Sequence, residues 1–164
     1  MTPTLPHVAH EHHERLIQHV NEMPAVGAMI LTAPIEELRP RLTAMSEFLN
    51  ILLMPHLEAA EATLYPELER MFQNRHSMAP MRREHAEIRR LVAEFTRLEK
   101  AIGDTRPSLG RVVSLRRVLF GLYALLEVHL VEEELYIPIV NHGVTDEAAE
   151  IMAAAIDHPG MPHA

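Results

Sequence analysis

The sequence predicts an all-α chain, an up-down four-helix bundle with a short additional C-terminal helix. Three observations lead there. Hydrophobic residues make up 48% but aromatics only 4%, with no Trp, so the core draws on Leu, Ala, Val, Met and Ile, which suit helices better than sheets. Only 6 glycines occur in 164 residues, which leaves long stretches without turn signals. Apolar positions recur at helical spacing along those stretches. A chain of this length builds one core without staples, and no linker divides it, so residues 1–164 read as a single domain.

A first helix is expected over residues 7–23, carrying Ala9, Leu16, Val20 and Met23 at helical spacing. Pro24 and Gly27 then loosen the chain, and Pro34 sits where a second helix can begin. That helix carries Leu38, Leu42, Met45, Leu49, Leu52 and Leu53. Pro40 falls in its first turns, Pro55 interrupts it before His56, and Pro66 ends or kinks its continuation toward Phe72. Ser77 is expected to cap a third helix that runs to Ile102, with Gly103 as its stop. Ser108 can cap a fourth, bearing Val112, Leu115, Leu119, Leu122, Leu126 and Leu130 and reaching toward Pro138. Thr145 can cap the short last helix, 146–156. The bundle thus occupies approximately residues 7–140 and the last helix and tail 145–164, and short connections make consecutive helices antiparallel neighbours.

The formal charge of −8 predicts no nucleic-acid footprint. Arg82, Arg83, Arg89 and Arg90 alternate with Glu84, Glu87 and Glu94 on the third helix, which reads as a solvated, salt-bridged face. The absence of cysteine excludes thiolate metal sites and thiol nucleophiles. No charged segment followed by an apolar run marks a signal peptide. Apolar runs such as 51–54 fall far short of the ~20 residues that span a bilayer. A cytoplasmic protein without membrane partners is the expectation.

Twelve histidines are the compositional anomaly. His7, His10, His158 and His163 lie near the termini, and His19, His76 and His142 read as core or boundary residues. Four of the remaining five, all but His12, follow a weak internal repeat. His13 and His85 are 72 apart (85 − 13), as are Glu61 and Glu133 (133 − 61) and Pro66 and Pro138 (138 − 66). His56 and His129 are 73 apart (129 − 56). Neighbours agree, since His13 precedes Leu16 and Val20 at the offsets that separate His85 from Ile88 and Val92. This register selects His13 over His10 or His12. Buried imidazoles and carboxylates cost free energy unless paired or metal-bound, and four imidazoles with two carboxylates suit two metal ions. Without thiolate, the set accommodates iron, manganese or zinc.

The ordered series His13, His56 with Glu61, His85, and His129 with Glu133 resembles the hemerythrin-like family, the HHE cation-binding domain, over roughly residues 8–140. The resemblance implies a cofactor of two non-heme iron ions, carboxylate-bridged and with room for an oxo bridge. It implies terminal imidazoles from His13, His56, His85 and His129, with Glu61 and Glu133 as bridges. Two features depart from the family pattern. His129 and Glu133 are four apart, within about 40° on one helix face, but His56 and Glu61 are five apart and about 140° out of line. A π-bulge or a Pro55-induced distortion between Pro55 and Glu61 is therefore predicted, with Glu58 as substitute ligand if the helix is ideal there. Second, oxygen-carrying hemerythrins place another histidine one turn after the first on the third helix, where this chain has Arg89. That leaves open positions for small molecules and favours reaction or sensing over oxygen transport.

Tyr65 and Tyr136 are expected to pack at the bundle end with hydroxyls near water, a contact between Tyr65 and iron being the alternative. The 10 methionines read as core filler. The run from His10 to Glu14 lacks the two histidines four apart, with glutamate after the first, that a zinc protease needs. The leading functional expectation is a diiron protein that binds or reacts with oxygen, nitric oxide or hydrogen peroxide, leaving enzyme status open. The alternative is a non-catalytic iron- or oxygen-sensing, or iron-handling, bundle with an unknown protein partner.

Overall fold

The computed structural model describes residues 5–103, 105–143 and 146–157, and every regular element among them is helical. In chain order these are α1 (Leu5–Thr32), α2 (Ile35–Glu47), π1 (Phe48–Leu53), α3 (Met54–Ala59), π2 (Ala60–Leu64), α4 (Tyr65–Met71), α5 (Ala79–Lys100), α6 (Leu109–Gly143) and α7 (Asp146–Asp157). From α2 through α4 the helical path is unbroken, so these segments make one rod. α1 packs along α6, α6 along α5, α5 against α2 and α2 against α1, which closes a ring of four around a common interior. α7 lies against α1, α3 and π2 at one end.

The helices outrun the expected boundaries where proline had been expected to end them. α1 passes through Pro24 to Thr32, and α6 passes through Pro138 to Gly143. An internal proline costs about 3 kcal/mol of helix propensity. Val26 and Ile30 beyond Pro24, and Val140 beyond Pro138, are fully or almost fully buried, and their burial offsets that cost. Pro34 stands at the N-cap of α2, as expected. Ser77 does not cap α5; its hydroxyl donates to the Asn74 carbonyl (2.9 Å), and Met78 takes the cap position. Thr145, expected to cap the last helix, lies outside the described residues.

The second helix does widen, but not across the stretch from Pro55 to Glu61 where a distortion was predicted: Met54–Ala59 is ordinary α-helix, one widened turn precedes it and the other begins only at Ala60. The Met54 N–H bonds to the Leu49 carbonyl and the Tyr65 N–H to the Ala60 carbonyl, each five residues back. Each of these bonds ends one residue before a proline, Pro55 or Pro66. A proline has no N–H to give, and its ring clashes with the carbonyl four residues earlier. A wider turn relieves that clash and keeps the rod continuous. Side chains take up backbone acceptors beside both turns: Asn50 Nδ2 donates to Ser46 O (2.8 Å) and Thr63 Oγ1 to Ala59 O (2.7 Å).

The interior is apolar in two blocks. The larger contains Leu16, Val20, Leu42, Leu49, Leu53, Ile88, Phe95, Leu119, Leu122 and Leu126. The smaller, beside α7, contains Ala9, Ala60, Leu64, Leu68, Met81, Ile137 and Met152. On every helix of the ring a polar residue interrupts the stripe where the blocks meet. His13 falls between Ala9 and Leu16, His56 between Leu53 and Ala60, His85 between Met81 and Ile88, and His129 with Glu133 between Leu126 and Ile137. No described helix is long and apolar enough to cross a membrane.

Leu122 is fully buried in the larger block, whereas Val113 on the same helix is 58% exposed. Chemical denaturation should show Leu122→Ala losing about 2–5 kcal/mol. Val113→Ala should stay within about 0.5 kcal/mol of the parent. Similar losses at the two positions would contradict this core.

Candidate metal centre

The polar layer is built around one carboxylate. Glu133, on α6, is 1% exposed, and its Oε2 lies 2.8 Å from His56 Nε2 and 3.3 Å from His13 Nε2. Its Oε1 accepts a hydrogen bond from the Tyr65 hydroxyl (3.0 Å), which also lies 2.8 Å from His85 Nε2. His85 Nε2 is in turn 3.0 Å from His129 Nε2. Two buried ligand groups result, His13–His56–Glu133 and His85–His129–Glu133, each with its ligand atoms within 4.8 Å of one another. Glu133 belongs to both and stands between two pairs of imidazoles.

Proton positions follow from the hydrogen-bond network. A carboxylate only accepts, so a ring nitrogen beside one carries the proton. His85 Nδ1 donates to Glu61 Oε1 (2.8 Å) and His129 Nδ1 to Glu84 Oε2 (2.9 Å). In the neutral rings both Nε2 atoms then present lone pairs, and they face each other across 3.0 Å. Opposed lone pairs repel, and a cation that accepts both converts the contact into binding. On the other side, His13 Nδ1 and His56 Nδ1 are buried with no hydrogen-bond partner among the described residues, while both Nε2 atoms converge on Glu133. The donor set therefore fits metal ions bound through the Nε2 atoms and the Glu133 carboxylate.

The electrostatics agree. Burial raises the proton affinity of Glu133, but His56, His13 and His129 more than offset it and hold the carboxyl well below its ordinary range. Burial, then the neighbouring His129, pushes His85 down to about 4, against the opposing pull of Glu133 and Glu61. Burial and the charge of Glu133 push the Tyr65 hydroxyl up, so in the metal-free chain it remains a proton donor. Burial also raises Glu61, but hydrogen bonds from Arg89 and His85 outweigh it and hold that carboxyl below its usual value.

The fold gathers His13, His56, His85, His129 and Glu133 into the two ligand groups and leaves Glu61 outside both. Glu61 sits at the outer edge of His85, on Nδ1, with its other contact to Arg89 Nη1 (2.9 Å). The phase of the rod explains this. The widened turn begins only at Ala60, so Glu61 receives little of its correction. Tyr65 follows the whole turn and receives all of it. In an ideal α-helix Tyr65 would lie about 180° from His56; one extra residue in a turn takes back roughly 100°. Tyr65 is accordingly fully buried with its hydroxyl inside the site, which corrects the expectation of a hydroxyl near water. Glu58, the substitute considered, is exposed.

His12, passed over in favour of His13, is also buried; its ring stacks on His56 (centroids 5.0 Å apart), outside both ligand groups. The charged face of α5 divides in two. Arg90 pairs with Glu87 and Glu94 as a surface network, but Glu84 and Arg89 reach back to the site through His129 and Glu61. Arg82 lies 5.5 Å over the Tyr65 ring. The signal for these positions was their contact across helices, which spacing along one helix does not display.

The family model for the hemerythrin HHE cation binding domain matches residues 4–140, and the chain belongs to that family. No curated protein and no solved structure matches the chain significantly.

A histidine whose folded proton affinity is depressed favours the unfolded chain on acidification, because that chain takes up the proton first. The metal-free protein should keep its stability above pH 6.5 and lose it progressively toward pH 4, the window set by His85. Thermal melts of metal-free protein at pH 7 and pH 5 check the sign; a higher Tm at pH 5 would contradict it.

Proposed function

We propose that this protein is an up-down four-helix bundle with a short C-terminal helix, housing two iron ions that bind or react with oxygen, nitric oxide or hydrogen peroxide. The alternation of the two apolar blocks along the chain supports the bundle: α1 and α5 run from the smaller block to the larger, and the rod and α6 run back. The observation that carries the metal reading is the Glu133 carboxylate, buried between two imidazole pairs whose Nε2 atoms all turn inward. His13 and His56 would hold one ion, His85 and His129 the other, and Glu133 would bridge them. Six ligand-type side chains, His12 included, lie almost completely buried, which an apolar bundle tolerates only when something compensates them.

When bound there, paired irons would supply the means to exchange electrons with a small ligand. The chain's own part is positioning and exclusion. Leu16, Leu53, Leu57, Leu126 and Leu130 keep bulk water from the layer on one side, and Leu64 and Ile137 do so on the other. Tyr65 holds a proton 3.0 Å from Glu133 and 2.8 Å from His85, where it can donate to a bound ligand. Arg89 in the place of a further imidazole leaves fewer protein ligands than an oxygen-carrying site has, which supports reactivity over transport. The absence of any described membrane-crossing helix is compatible with a cytoplasmic protein.

Elemental analysis of protein purified from iron-replete cells should return two irons per chain, and Glu133→Ala should bring that to one or none. Rapid mixing of the reduced protein with oxygen, nitric oxide and hydrogen peroxide should change its absorption for at least one of them. A spectrum indifferent to all three would sink the ligand assignment, and zinc or no metal would sink the iron assignment. Tyr65→Phe should still take up two irons per chain, with affinity lowered by no more than about 10–100-fold, the range expected for a residue that tunes ligands from outside, while altering the rate with the reactive ligand.

A further inference from the structure

Resting on the metal-centre reading above, we infer that the two halves of the site are unequal. The His85–His129 half is the high-affinity cation position, held from outside by Glu61 and Glu84 as positioning residues. The His13–His56 half fills second and exchanges its cation.

The outer edges of the four imidazoles carry the difference. In the first half, both Nδ1 atoms donate to carboxylates, at 2.8 Å from His85 to Glu61 and 2.9 Å from His129 to Glu84. Such a bond fixes the tautomer, aims the ring and makes its other nitrogen a stronger donor to metal. Here both inward Nε2 atoms are prepared before a cation arrives, and binding requires no change of tautomer. In the second half neither His13 Nδ1 nor His56 Nδ1 has a hydrogen-bond partner among the described residues. A ring without an outer acceptor is free to hold its proton on the inward nitrogen, where it meets Glu133. A cation must displace that proton first.

The internal repeat makes the contrast specific. At the offset of 72 that relates His13 to His85, the counterpart of Glu84 is His12 (84 − 72 = 12). The positions correspond in space as well as in sequence: Glu84 backs His129, and the His12 ring stacks on His56 at 5.0 Å and 29°. His12 Nδ1 accepts from Arg15 Nη2 (3.2 Å), and the side chain at the position equivalent to Glu84 is thus an imidazole stacked on its neighbour rather than a carboxylate bonded to it. The counterpart of Glu61 at the same offset is Glu133, which is spent on the interior of the site (133 − 61 = 72). One half thus gains two outer carboxylates and the other gains none.

Titration of the metal-free full-length protein with Co2+, followed by visible absorption, and with Zn2+, followed by calorimetry, separates the halves. Two steps differing by at least about 10-fold in Kd are expected, in line with what such outer ligands contribute. Glu61→Gln combined with Glu84→Gln should weaken the first step about 10–100-fold and leave the second in place. His13→Gln should remove the second step and spare the first, with circular dichroism confirming the helical fold of each variant. Two equal sites filling together would overturn the inference and leave the metal-centre reading standing. So would a double Gln variant with an unchanged first step, or a first step lost in His13→Gln. No binding of either cation would overturn both.

Discussion

A charged carboxylate in the middle of a helical bundle is the constraint to which the rest of this structure answers. Removing an ionised group from water costs several kcal/mol even after relaxation, and Glu133 is 1% exposed. His13, His56 and the Tyr65 hydroxyl reach it from three separate segments, and His85 and His129 complete its surroundings. All four members of the ring must therefore arrive in register for one side chain to be tolerated. The apolar blocks above and below supply the burial that holds the ring closed, and the layer between them supplies the chemistry. Stability and site are thus two uses of one arrangement.

The prolines of the rod belong to this constraint. Pro55 and Pro66 each follow a widened turn, and the second turn carries Tyr65 onto the face that His56 already occupies. A continuous α-helix would have turned that hydroxyl away. The same phase leaves Glu61 at the outer edge of His85, tied to Arg89, so that one glutamate of the internal repeat enters the site and its counterpart supports it from behind. The weak sequence repeat and the unequal placement of its two glutamates are reconciled by a local change in helical pitch.

Much of this was legible in the amino-acid sequence, for reasons that also mark where legibility stops. Leucine and valine at helical spacing announce the four long segments, because a helix that buries one face must repeat it. The offset of 72 or 73 residues singles out six candidate ligands, and the fold brings five of them together while leaving Glu61 at the edge, because equivalent positions in two helical pairs face the same interior only where the helical pitch is the same. Helix ends at Pro24 and Pro138 were misread because local propensity counts about 3 kcal/mol against a proline but does not see the burial of Val26, Ile30 and Val140 beyond it. Tyr65 was hidden by the pitch of the rod. Glu84 and Arg89 looked like members of a solvated charge ladder because their partners, His129 and Glu61, lie on other helices.

The proposed place of Glu133 between two metal ions is tested most directly by crystals of iron-loaded protein, through anomalous scattering at the iron edge. Two peaks are expected, one on each side of the Glu133 carboxylate, the first against His13 and His56 and the second against His85 and His129. A single peak, or iron bound only outside this layer, would contradict the reading of Glu133 as a bridge.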